Sequence, residues 1–481
     1  MDAEGELTVP FWTAARTLFG RSALYALAGA INKVLALVTV PLLTRLLTPE
    51  GYGLSDLAVG LAAMLTIVAL FAADIPAAEL VARHPASERR IYSTYVALVV
   101  GIGLLLGAGV FLAADLIANQ LWNAPAAASL ARWTAALIVA TAARGSMITV
   151  FRLAGRAWRF AAISVLELVI ELALSVWLVI LGWGAEGVVA AYVVGNLVGL
   201  AASLVLGRDL FEIGVVRNAF RPLVVGGAWF LPVAMAFVIA DYGLRYFATA
   251  FGEPAAVGHL AAASRIASVL SLASAGFYLA WGPYAVRRVK SSTSPAEIGR
   301  MMNVYGGAAI AGALIIGLFG AELIELIAGR SYRPGAVALP GLAAGAAIAG
   351  VAQIALLALR LSGRSRLMIG AAVGGGLVQV ATAGALGKFI GLAGLGWATF
   401  AGQLATVGLA LFAAGGAIQL PRANAALGAL ASALLVALVA MMSTVPAPIR
   451  VAAAVVVTVA SVYWTVRQVR RAAAIESLDE D

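Results

Sequence analysis

The sequence predicts an all-α integral membrane protein. It has about fourteen transmembrane helices, arranged as two parallel six-helix bundles that form a V-shaped cleft, with two extra helices at the C-terminus. Three observations predict this. Hydrophobic residues make up 63% of the 481 and charged residues 11%, with a mean hydropathy of +0.99, whereas a soluble domain carries roughly a quarter charged residues. The apolar residues fall into runs of about twenty, the length a helix needs to cross hydrocarbon, and not into the ten-residue alternations of a barrel strand. Lys and Arg collect in alternate connections between those runs. The composition also excludes some chemistry. There is no cysteine and there are only two histidines, His84 and His259, so thiolate and His-rich metal sites are ruled out and no cofactor is expected.

The spans lie near 22–46, 54–80, 91–114, 133–151, 160–182, 186–207, 224–248, 256–284, 301–321, 336–359, 366–387, 392–417, 424–443 and 448–466. The acidic start, Met1 to Pro10, does not read as a cleavable signal peptide. With the N-terminus placed inside, the inner connections carry 22 of the 32 basic residues. Among these are Arg83, Arg89 and Arg90; Arg152, Arg156 and Arg159; and Arg360, Arg364 and Arg366. Seven fall outside: Arg45, Arg132, Arg245, Arg330, Arg333, Lys388 and Arg450. Cytoplasmic loops of an inner-membrane protein carry this excess, so both termini are expected to be cytoplasmic. The net charge of +9 then reflects loops on one membrane face rather than a nucleic-acid surface.

The two halves echo each other. Arg152-Leu153-Ala154-Gly155-Arg156 is matched 208 residues on by Arg360-Leu361-Ser362-Gly363-Arg364. Gly187 and Gly195 are matched by Gly394 and Gly402, 207 on, and Gly53 with Pro76 loosely by Gly258 with Pro283. The repeat predicts a segment 1–21, a bundle 22–207, a linker 208–223, a second bundle 224–417, two further helices within 418–466 and a tail 467–481. Two copies in the same orientation enclose a central cleft, which is transporter architecture. Pro41, Pro76, Pro232 and Pro283 lie within spans and allow bends there.

Ionisable groups inside spans mark a cavity or a pairing partner, because each costs about 2.5–3.5 kcal/mol at the bilayer centre. Lys33, beside Asn32, lies in the first span, Arg144 in the fourth and Arg265 in the eighth. Lys33 and Arg265 are expected to line a cationic cavity, with Asn32 and Arg144 as further candidates. For Arg144 the preferred reading is an internal pair with Glu167 or Glu171, which share one helix face. Those two glutamates are either partners of buried cations or the seat of a coupling proton. Asp241 lies one turn before Arg245, and Asp74 and Glu79 lie near the inner end of the second span. A phosphate loop is absent: Gly384-Ala385-Leu386-Gly387-Lys388 has the wrong spacing and no Ser or Thr after the lysine.

From Asn32-Lys33-Val34 through Pro41-Leu42-Leu43-Thr44-Arg45-Leu46-Leu47-Thr48-Pro49-Glu50-Gly51-Tyr52-Gly53, the chain resembles the opening of polysaccharide flippases. These belong to the multidrug/oligosaccharidyl-lipid/polysaccharide exporter superfamily. Arg152 to Ala157, Phe230-Leu231-Pro232, Arg245-Tyr246-Phe247, Val257-Gly258, Ala280-Trp281-Gly282-Pro283 and Gly329-Arg330-Ser331-Tyr332 extend the similarity over roughly residues 20–420. The chain departs from the family in two places. Leu244 stands where an Asp usually precedes the arginine equivalent to Arg245, and Gly258-His259-Leu260 replaces a Gly-x-Tyr.

The resemblance implies a non-enzymatic flippase that moves undecaprenyl-pyrophosphate-linked oligosaccharide between leaflets for O-antigen, capsule or exopolysaccharide. A polysaccharide polymerase and chain-length regulator proteins are the expected companions. In related peptidoglycan-precursor flippases the cationic cavity draws on helices 1, 2 and 8, which Lys33 and Arg265 match by helix. A multidrug or cation antiporter of the same superfamily would prefer an acidic cavity. A major-facilitator transporter would carry a different loop after its second helix. A polyprenyl-sugar enzyme would need larger outer loops.

Overall fold

The computed structural model describes residues 38–212, 214, 216–252, 254–271, 274 and 294–415. Asn32 and Lys33, the start of the 22–46 span, the 424–443 and 448–466 spans and Pro283 therefore lie outside the described residues. Every regular element among the described residues is helical. After α1 (38–46) come α2 (Pro49–Leu70), α3 (Asp74–Arg83), α4 (Glu88–Leu112) and the short α5 (Ala114–Leu116). Next are α6 (Ala128–Leu153), α7 (Ala157–Ile180), α8 (Gly184–Leu206), α9 (Arg217–Phe251) and α10 (Pro254–Ala267). The series closes with α11 (Ser294–Leu318), α12 (Gly320–Ile327), α13 (Leu339–Leu361) and α14 (Ser365–Ala414). Seven of the described helical stretches are long and apolar enough to cross a membrane, or up to eight if the 74° bend between α11 and α12 lies within one span.

Local chemistry explains the boundaries. Thr48 caps α2 by accepting the Gly51 N–H, and Pro49 occupies the first helical position, where its missing N–H costs nothing. The span expected at 54–80 is broken. Phe71 and Ala72 take left-handed φ values of 54° and 47°, and the chain restarts as α3. The ring of Pro76 would collide with the carbonyl of residue 72 in a continuous helix, so Pro76 is accommodated in the first turn of a new one. The expected helices 366–387 and 392–417 form α14, which breaks at Ile390 and Gly391. α9 begins at Arg217, seven residues before the expected 224. Apolar composition marks only the hydrocarbon-embedded part of a helix, and intrahelical hydrogen bonds continue into the polar layer.

One face gathers the arginines. Arg90 pairs with Glu212 at 2.6 Å, Arg152 with Asp74 at 2.9 Å, and Arg159 with Asp209 at 2.5 Å. The first and third tie the connection after α8 to the starts of α4 and α7, and the second ties the end of α6 to the start of α3. The Arg159 hydrogen bond also holds the Asp209 carboxyl below the usual carboxylate range. Trp158 and Trp177, 70% and 59% exposed, sit near opposite ends of α7. Nineteen residues of helix separate them by roughly 28 Å, the thickness of the hydrocarbon layer. They stand where interfacial tryptophans collect.

The repeat is visible in geometry. Gly155 and Gly363 both end a helix with positive φ, 67° and 74°, a conformation that carries no penalty for glycine. Around them the same bonds recur: Arg156 N–H to Phe151 O at 2.8 Å, and Arg364 N–H to Leu359 O at 2.9 Å. Gly195 of α8 packs on Glu171 of α7, and Gly402 packs on Gln379 across the two arms of α14. Gly53 of α2 and its mate Gly258 of α10 meet each other. A methyl group on Gly53 would lie 2.6 Å from the Gly258 nitrogen. Ala58, Ala62, Ala131 and Ala261 to Ala263 fill the adjoining core, because small side chains let helices approach where lipid supplies no hydrophobic drive.

Candidate functional site: a buried guanidinium pair between the repeat copies

Tyr52, Asp56 and Gly60 are spaced four apart on α2 and so share one face. Gly60 leaves room for the Tyr242 ring of α9, whose atoms a side chain there would meet at 2.9 Å. Asp56 is 3% exposed and faces two cations. Arg245 of α9, 8% exposed, donates through Nε to Asp56 Oδ2. Arg265 of α10 brings its Nη2 to 3.6 Å from Asp56 Oδ1. The Arg245 guanidinium also lies 4.8 Å from the centre of the Tyr242 ring, a favourable cation–π contact.

Two guanidiniums share one carboxylate in a low-dielectric setting, where charges act strongly. Arg265 is the open member, with 32% of its side chain exposed. The arrangement can therefore take up a further anion at Arg265, and the planar fork of a guanidinium suits phosphate oxygens.

A second polar cluster lies within the first copy. Arg144 Nε of α6 contacts Glu167 Oε1 at 2.8 Å and Asn196 Oδ1 at 2.9 Å. Asn196 donates in turn to Glu171 Oε1 at 2.9 Å and to the Tyr192 carbonyl at 2.9 Å. Tyr192, one turn before Asn196 on α8, has both Glu171 and Arg265 as electrostatic neighbours. In the second copy Gly375 and Gln379 stand where Glu167 and Glu171 stand in the first, 208 residues on, so this charge cluster belongs to one copy alone.

The expected site residues divide accordingly. Arg265 is partly exposed and has Asp56 as a partner. Arg144 pairs with Glu167, as its preferred reading had it. Asp74 pairs with Arg152 on the arginine-rich face, and Glu79 makes an exposed contact with Arg83 at 3.7 Å. Asp241 lies in α9, four residues before Arg245. Two members of the central cluster were not among the expected site residues. Arg245, assigned to an outer connection, is buried inside α9, because that helix runs on to Phe251. Asp56 was not singled out at all. The signal was available, since Asp56 lies within the 54–80 span, where an ionisable residue is costly. The carboxylate that Leu244 lacks beside Arg245 is supplied from α2.

At the seam beside this cluster, the Tyr332 hydroxyl donates to the Leu47 carbonyl at 3.0 Å, and the Tyr52 ring stands edge-on to Tyr332 at 5.9 Å. His259 Nε2 lies 3.1 Å from the Ser331 carbonyl. These contacts close the end of the helices opposite the arginine-rich face.

Comparison with known proteins places this architecture. A structure of the lipid II flippase MurJ in an inward closed conformation superposes with a TM-score of 0.73 over 93% of this chain and 99% of that one, at 12% identity. An inward-facing multidrug resistance MATE family transporter of the MOP superfamily matches with a TM-score of 0.55 over 80% of this chain and 97% of that one, at 17% identity. A MOP superfamily transporter from Pyrococcus furiosus, described as having a binding pocket of reversed polarity, matches with 0.54 over 87% and 95%, at 16% identity. At such identities the likeness establishes the fold. No curated protein matches the sequence. The family model for polysaccharide biosynthesis proteins matches residues 21–288, more than half of the chain. On that match, together with a fold shared by MOP superfamily transporters, the chain belongs to the polysaccharide biosynthesis protein family.

Proposed function

We propose that the protein is a flippase that moves a polyprenyl-pyrophosphate-linked oligosaccharide from the inner to the outer leaflet of the cytoplasmic membrane, without catalysing a covalent step. The observation that carries this reading is the pair of guanidiniums, Arg245 and Arg265, gathered on Asp56 between the repeat copies, with Arg265 partly exposed. A diphosphate carries about two negative charges, and guanidiniums in a cleft of low dielectric attract it strongly. Lys33 and Asn32 of the 22–46 span are assigned to the same cavity. The arginine-rich face is taken as cytoplasmic, with both termini there.

The bundles 22–207 and 224–417 rock about the linker and expose the cavity to each side in turn, while the two helices of 418–466 stand outside the repeat. The polyprenyl tail stays in lipid, so only the charged head and sugars cross within protein. Glu167 pairs with Arg144 while Glu171 accepts from the neutral Asn196, and this carboxylate pair is the seat assigned to a coupling proton. A polymerase and a chain-length regulator act on the delivered units. The two guanidiniums weigh against the multidrug antiporter alternative, which calls for an acidic cavity.

The test is genetic and chemical together. Deleting the gene should abolish surface polysaccharide while lipid-linked units accumulate on the inner leaflet. Arg265→Ala, produced at wild-type level, should restore less than a tenth of the polysaccharide. Full restoration by Arg265→Ala, or deletion without accumulation of lipid-linked units, overturns the assignment.

A further inference from the structure

Asp56 holds the two repeat copies together through charge. It belongs to α2 in the first copy, while Arg245 and Arg265 belong to α9 and α10 in the second. Both of its oxygens are engaged, and water scarcely reaches it at 3% exposure. The tie stands one helical turn from the Gly53–Gly258 crossing, on the same stretch of α2 that carries Tyr52 against Tyr332. The ion pair and the closed seam are thus one mechanical unit. Asp56 also occupies the guanidinium pair that an incoming anion would seek, and the longer of its two contacts, 3.6 Å, is to the half-open Arg265.

We propose that Asp56 is an internal stand-in for the substrate's phosphate. In the empty protein its carboxylate engages both guanidiniums and bolts α2 to α9 and α10, which keeps the seam at Gly53 and Gly258 shut. A diphosphate arriving at Arg265 competes for the guanidiniums. Asp56 then loses its partners, the bolt between the copies is released, and the face opposite the arginine-rich one opens. When the diphosphate leaves, the carboxylate returns and the seam closes again. Opening therefore requires cargo, and an empty protein does not cycle idly. This inference rests on the flippase reading for the identity of the anion. The bolt itself rests on the ion pairs and the seam.

The chain has no native cysteine, so nitroxides can be placed on Arg45→Cys and Arg330→Cys, two exposed positions flanking the seam, in the full-length protein in nanodiscs. Electron–electron resonance reads the distance between them, and calorimetry reads binding of farnesyl pyrophosphate, with farnesol as the uncharged control. In the wild type the distance should lengthen on adding farnesyl pyrophosphate and not on adding farnesol. Asp56→Asn, which removes the charge and keeps the shape, should show the long distance without ligand and bind farnesyl pyrophosphate about tenfold more tightly. Asp56→Glu should restore the short distance, which separates loss of charge from misfolding.

Diphosphate binding with an unchanged distance in both proteins overturns the bolt and spares the substrate reading. So does weaker binding by Asp56→Asn. A seam that opens in Asp56→Asn, in a protein that binds no diphosphate, supports the bolt and sinks the substrate reading.

Discussion

Removing Arg245 alone should harm the protein far more than removing Arg245 and Asp56 together. Arg245→Met leaves Asp56, 3% exposed, with only the Arg265 guanidinium at 3.6 Å. Stranding one member of a buried pair costs about 3–5 kcal/mol, and the remaining cation puts this case at the lower end, about 3 kcal/mol. Asp56→Leu removes the carboxylate beside Arg245, which keeps its other contacts, among them the face-on one with Tyr242 at 4.8 Å. That contact offsets roughly 0.5–2 kcal/mol, so this loss should be about 2–3 kcal/mol. In the double variant both charges are gone and two apolar groups fill the space, a replacement that is often neutral or stabilising. Arg265 is left in an opening, where water can solvate it.

The singles therefore sum to roughly 5–6 kcal/mol while the double loses about 1 or less, a coupling of about 4 kcal/mol. Unfolding by sodium dodecyl sulfate from mild-detergent micelles, followed by the fluorescence of the ten tryptophans, measures each corner of the cycle. Additivity within about 0.5 kcal/mol would refute the claim that these two side chains form the central tie.

Two further outcomes follow from local geometry. A side chain at Gly258 would run into the Pro49 carbonyl, so Gly258→Val should destabilise the closed seam by about 1–3 kcal/mol. Maleimide labelling of a cysteine at buried Leu47 should then rise about five- to a hundredfold, and unchanged labelling would show that the crossing does not close the seam. The hydrogen bond from Arg159 depresses the Asp209 carboxyl. A depressed acid contributes order above its unfolded value, near 3.8, and loses it as pH falls through its folded value. A nitroxide at Arg208 should therefore stay immobilised from neutrality down to about pH 4 and become mobile below it. In Asp209→Asn it should be mobile at every pH, and an immobile label there would show that the ion pairs do not hold this connection.

The sequence by itself determined the solvent and the helical class, and it pointed to a duplication. Apolar runs of fixed length have one outcome in a bilayer, because every backbone N–H and C=O must be satisfied within the segment. The Arg-x-x-Gly-Arg pair announced its two glycine-ended helices because a left-handed terminus needs a residue without Cβ. Arg144 with Glu167 was legible for the same local reason: adjoining helices with opposite charges at matching depth find each other.

Only the tertiary structure decided which charges meet across the copies. Asp56 lies 189 residues from Arg245, and no periodicity links them. Their contact depends on how α2 turns its Asp56 face towards α9, and that rotation is set by Gly53 against Gly258 and Gly60 against Tyr242. Hydropathy reports how deep a residue lies along a helix. The direction in which it points is fixed by packing between helices, which a single sequence does not display.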